Sequence, residues 1–97
     1  MSDDFGFAAP PYRPDEALVQ LRRSLRELQL AERGEGFELR GKRVLELRVQ
    51  GEALQTRLAR RLALTPEWDT QLIRSSADQR KWVDEVKKRL ARWERDE

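Results

Sequence analysis

Residues 35–63 read EGFELRGKRVLELRVQGEALQTRLARRLA, and the fold of the chain turns on whether this stretch is helix or sheet. At helical spacing Val44, Leu47, Leu54, Leu58 and Leu62 fall together, but Gly41 and Gly51 then sit inside the helix, at about 1 kcal/mol each relative to alanine. At a period of two the stretch gives three alternating sets: Phe37 and Leu39; Leu45, Leu47 and Val49; Leu54, Thr56 and Leu58. Gly36, Gly41 and Gly51 punctuate them. Register separates the readings. With Gly51-Glu52 as a two-residue turn, Val49 faces Leu54, Leu47 faces Thr56 and Leu45 faces Leu58, so every apolar position shares one face. A helical sequence meets that condition only by chance. An odd loop such as Arg40-Gly41-Lys42 then brings Phe37 opposite Leu45 on the same face. The stretch is read as a three-stranded antiparallel meander.

The flanks predict helices. Pro14 suits a first helical position, Asp15 and Glu16 complement the positive end of the helix dipole, and Leu18, Leu21, Leu25 and Leu28 recur at helical spacing over residues 14–33. Arg33-Gly34 reads as a basic last turn with a left-handed cap. Leu30 lies off the leucine stripe and is a candidate contact residue. Downstream, Thr65-Pro66-Glu67 has the residues of a helix start, with Trp68, Leu72 and Ile73 on one side of a short helix. Ser76 and Gln79 read as a capping box opening a closing helix, along which Val83, Val86, Leu90 and Trp93 repeat and Trp82 flanks the stripe. Residues 1–13 show no period and contain Pro10-Pro11; they read as a flexible leader whose Phe5, Phe7 and Tyr12 are a candidate docking motif. The expectation is one small α+β domain over residues 14–97: N-terminal helix, three-stranded meander, short helix, and a C-terminal helix packed on one sheet face. An all-α helical bundle is the alternative.

Composition narrows function mainly by exclusion. The 97 residues contain neither cysteine nor histidine, which removes disulfides, thiolate chemistry, the commonest general base and the commonest transition-metal ligand. No cofactor and no metal are expected. The apolar runs are too short to span a membrane, and the acidic start Met1-Ser2-Asp3-Asp4 is unlike a signal peptide, so a cytoplasmic protein without a membrane partner is expected. Charged residues make up 39% of the chain, yet the net charge is only +2. The excess lies in the middle, where residues 36–63 hold seven basic and three acidic groups. Arginine outnumbers lysine sixteen to four, which fits a GC-rich coding sequence.

The predicted order of helix, three strands and closing helix resembles that of a double-stranded-RNA-binding domain, which reads RNA shape through basic groups on phosphates. The resemblance is in element order alone. Ser75, Ser76, Ala77, Asp78 and Gln79 stand where that fold places a lysine cluster, and the Trp68 segment is extra. A nucleic-acid surface is otherwise readable from strand parity: Arg40, Arg48 and Arg57 point away from the apolar face with Gln55 near them, although Glu38 and Glu46 share it and no exposed Phe or Tyr is there for base stacking. Protein partners, including a second copy of the chain, are the stronger expectation. Trp68, Trp82 and Trp93 are many for this length, and tryptophan is enriched at interface hot spots as well as in cores. Catalysis is not expected, since adjacent Asp84 and Glu85 cannot converge on one substrate and no glycine-rich phosphate loop opens a helix.

Overall fold

The computed structural model describes residues 11–95; Phe5 and Phe7 lie outside the described residues. The elements run α1 (Pro14–Glu27), β1 (Ala31–Arg33), β2 (Gly36–Leu39), β3 (Lys42–Gln50), β4 (Ala53–Ala59), β5 (Trp68–Ile73) and α2 (Ser76–Arg95). The strands form one antiparallel sheet in chain order. The α+β class holds, but the meander has five strands where three were expected. That also removes the likeness in element order to a double-stranded-RNA-binding domain.

The central hairpin has the anticipated register, with Val49 facing Leu54, Leu47 facing Thr56 and Leu45 facing Leu58. Gly51, at φ 61°, takes the first central position of its turn, where a type II′ hairpin places glycine. Parity between β2 and β3 is met by a different device. Arg40 and Gly41 form a tight turn with positive φ at both (54° and 78°), and Val44 is an extra residue between the pairs Phe37–Leu45 and Glu38–Arg43. That bulge, rather than an odd loop, puts Phe37 opposite Leu45.

Three local predictions are corrected. The first helix stops at Glu27, because Gln29 adopts the left-handed conformation (φ 67°). Gly34 therefore serves the β1–β2 turn instead of capping the helix, and Leu30 folds into the core at 5% exposure, so it is not a surface contact. The Thr65-Pro66-Glu67 segment opens no helix: Trp68 to Ile73 pair with β4 from Ala59 to Leu54. The cap of α2 lies one residue earlier than predicted. Ser75 Oγ accepts the Asp78 N–H at 3.1 Å, and the Asp78 carboxylate accepts the Arg74 N–H at 3.3 Å.

Both helices lie against one side of the sheet. Phe37, Leu45, Leu47, Leu54, Leu58 and Ile73 of that side are buried together with Leu21 and Leu25 of α1 and Trp82, Val86 and Trp93 of α2. Thr56 is the polar residue among them, and its hydroxyl donates to the Gln71 carbonyl at 3.1 Å. Ion pairs pin the helices to the same side. Arg22 and Arg26 of α1 grip Glu32 of β1 at 2.6 and 2.7 Å, and Arg89 of α2 reaches Asp69 of β5 at 2.9 Å. These contacts hold both carboxyls below their usual range, Glu32 through hydrogen bonds from Arg26 and then Arg22, Asp69 through Arg60 ahead of Arg89.

Candidate functional site on the open sheet face

Alternation along the strands sends the intervening side chains to the opposite side, which no helix among the described residues covers. Register places Arg33, Glu38, Arg43, Glu46, Arg48, Gln55, Arg57, Trp68, Thr70 and Leu72 there. Four guanidiniums thus face two carboxylates. Glu46 is shared, taking Arg43 at 2.8 Å and Arg57 at 3.1 Å, while Glu38 lies 3.5 Å from Arg33. Arg48 differs: its Nε donates to a neutral acceptor, the Gln55 amide oxygen, at 2.7 Å. Glu35, Glu46, Leu47, Arg48, Gln55 and Arg57 line a depression of about 100 Å³ between them.

The floor of this face is shaped by Gly36. A β-carbon there would stand 2.6 Å from the Leu45 carbonyl oxygen and 2.7 Å from the Arg43 guanidinium carbon. The bare backbone lets Arg43 lie across β2 to reach Glu46. Gly36 is thus more than strand punctuation: its missing β-carbon makes room for the Arg43 side chain.

At the far end Arg57 stacks over the Trp68 ring, 4.9 Å from its centroid. Trp68 is half-buried and packs against the core cluster. An arginine plane on an indole is a cation–π contact worth about 0.5–1 kcal/mol where exposed. The face therefore has the aromatic group that the sequence reading found missing, because β5 was read as helix. Trp82 and Trp93, by contrast, are core residues at 3% and 5% exposure.

Of the predicted contact residues, Arg48 and Arg57 come together on this face with Trp68. Arg40 does not join them on the strands, since it occupies the β2–β3 turn. Val19 and Leu64, the most exposed large apolar side chains, are not on the strands of this face: Val19 is on α1 and Leu64 in the β4–β5 loop. Among the described residues no helix is long and apolar enough to cross a membrane. In comparison with known proteins, no family model, no curated protein and no solved structure matches the chain.

Proposed function

We propose that the chain is a non-catalytic binding module whose open sheet face engages a protein partner, with Arg48, Arg57 and Trp68 at the contact. The observation that carries this reading is the uncovered face itself: a half-open tryptophan stacked under an arginine, beside an arginine whose hydrogen-bond partner is the neutral Gln55 amide. Tryptophan and arginine dominate interface hot spots because each brings a large, stiff contact surface and a directed donor set. Interleaved Glu46 and Glu38 favour a partner that offers both acidic and basic side chains over a uniform polyanion. The test is affinity capture with the native chain, with Arg48→Glu/Trp68→Ala, and with Lys87→Glu on the outer side of α2. Partners lost with the face variant alone, and retained after nuclease treatment, support the reading. A capture profile identical for all three chains contradicts it.

The excess of guanidiniums together with an available indole supports a second reading, binding of nucleic acid on the same face. Three phosphate contacts give a log–log salt slope of about −2 to −3, and each Arg→Ala change removes about one unit. Titration of duplex DNA and duplex RNA at two salt concentrations decides it. Absence of binding at tens of micromolar in low salt rejects it, since non-specific binders reach a Kd of about 1–100 µM at physiological salt and bind far more tightly at low salt.

A further inference from the structure

We infer that the chain forms a twofold dimer by pairing β5 with β5 of a second copy across the outer edge of the sheet. This goes beyond the binding role proposed for the open face and does not rest on it.

Two hydrogen bonds fix which backbone groups look outward. The Glu67 carbonyl accepts the Arg60 N–H at 2.9 Å, and the Gln71 carbonyl accepts the Thr56 hydroxyl at 3.1 Å, so both point toward β4. Backbone groups alternate sides along an antiparallel strand. The N–H and C=O of Trp68, Thr70 and Leu72 therefore point away from β4, at an edge that no strand pairs among the described residues.

The two edges of the sheet differ in how they are guarded. β1 is three residues long, and two of them, Glu32 and Arg33, are charged. β5 runs six residues without proline, glycine, lysine or bulge, the devices that normally blunt an edge. Its one charge, Asp69, is already taken by Arg60 and Arg89. Thr70 and Gln71 are exposed on opposite faces, so neither side of the strand centre is covered.

The strand is complementary to itself in one register. With Thr70 on the twofold axis, Thr70 pairs with its own copy and Trp68 with Leu72 of the other chain. Every such pair joins outward-pointing residues, and all of these side chains lie on the open face. Each indole then meets a leucine across the seam, an aromatic–aliphatic cross-strand pair. On the helix side Asp69 meets neutral Gln71, so no like charges oppose. Glu67 precedes the strand and Arg74 follows it, so an antiparallel copy sets unlike charges together at both ends, whereas a parallel copy sets like against like. A slip of one residue loses the hydrogen bonds and the Trp68–Leu72 match together.

The test uses sedimentation and a single introduced cysteine in a chain that has none of its own. The native chain should rise with concentration from 11.5 kDa toward twice that mass. Thr70→Pro, which removes an outward N–H and no hydrogen bond to β4, and Thr70→Lys, which sets two cations on the axis, should stay at 11.5 kDa with unchanged circular dichroism. A hydrogen-bonded antiparallel pair sets its Cα atoms about 5.5 Å apart, within disulfide range. Thr70→Cys should thus oxidise to a covalent dimer at least about tenfold faster than Glu52→Cys, through its higher effective concentration. A native chain still monomeric at about 1 mM overturns the inference. So does a mass increase that survives both Thr70→Pro and Thr70→Lys, or a Thr70→Cys chain that oxidises no faster than Glu52→Cys. Arg48→Glu alone, on β3 and outside the seam, leaves the oligomeric state unchanged, which separates this outcome from the fate of the binding proposal.

Discussion

Beneath the helices, Phe37, Leu45, Leu47, Leu54 and Ile73 have at most 1% exposure, while one residue away along the same strands Arg48 stands in solvent and Glu38, Glu46, Gln55 and Leu72 stay partly open to it. The strands are shared, so backbone hydrogen bonding cannot account for the difference. One face is held by apolar burial, worth about 25 cal/mol per Å² removed from water, and the other by pairwise contacts of arginines that are each worth a fraction of that. The lesson is a division of labour by parity. Covered positions carry stability, and open positions are free to carry binding, so substitutions on the two faces should differ in size and kind.

The largest effect belongs to the covered face. Phe37→Ala is expected to cost about 3–5 kcal/mol in chemical denaturation, most of the stability of a domain this small. If Phe37→Ala costs no more than an open-face substitution, the contrast between faces is broken. Gly36→Ala comes next, because its β-carbon meets backbone as well as Arg43; a loss of about 1–3 kcal/mol is expected. A neutral Gly36→Ala would mean that Arg43 does not lie across β2.

An intermediate effect sharpens the account of how α1 is tied down. Glu32 in the folded chain releases its proton more readily than in the unfolded chain, since Arg26 and Arg22 favour its charged form. The unfolded state therefore takes up the proton first as pH falls. This contribution is complete at neutral pH, declines below the ordinary carboxylate range and is gone once the folded carboxyl is protonated. Asp69 acts in the same direction through Arg60 and Arg89. In urea titrations between about pH 7 and pH 2, Glu32→Gln should lower stability at neutral pH and flatten the acid decline. An acid limb unchanged by Glu32→Gln would contradict the clasp.

The smallest effects belong to the open face. Arg57→Ala should cost less than about 1 kcal/mol, since it removes one exposed ion pair and one exposed cation–π contact. Arg48→Ala should fall within about 0.5 kcal/mol of the native chain, as its removal leaves only an amide unpartnered. A larger loss would make the open face structural and weaken its claim to function.

What the sequence revealed and what it concealed follow from the same parity. The β3–β4 hairpin was legible because its two strands are apolar on one face and polar on the other, joined at Gly51. The α1 stripe and the long α2 were legible from helical spacing. β5 was not, because its pattern is inverted: Trp68 and Leu72 face outward while Asp69 and Gln71 point to the helix side. Asp69 is tolerated there because Arg60 and Arg89 compensate it, Arg89 lying on the inner side of α2 at 14% side-chain exposure. Neither partner is adjacent in sequence, so local signals at Thr65-Pro66-Glu67 prevailed. β1 was hidden because a non-glycine residue, Gln29, ends the helix while Gly34 imitates a cap. On the candidate site, parity alone aligned Arg48, Gln55 and Arg57. Trp68 joined them only through the pairing of β5, and Arg40 left them because it sits in the β2–β3 turn at positive φ and not on a strand.

The three tryptophans allow the central claim, one covered face and one open, to be tested in a single experiment. Acrylamide quenching of tryptophan fluorescence is measured for the native chain, Trp68→Phe and Trp82→Phe. With Trp68 half-open on the uncovered side and Trp82 and Trp93 at 3% and 5% exposure, Trp68→Phe should remove the readily quenched emission and Trp82→Phe should leave it. Quenching that persists in Trp68→Phe but is lost in Trp82→Phe would place the open surface on the helix side and contradict the account.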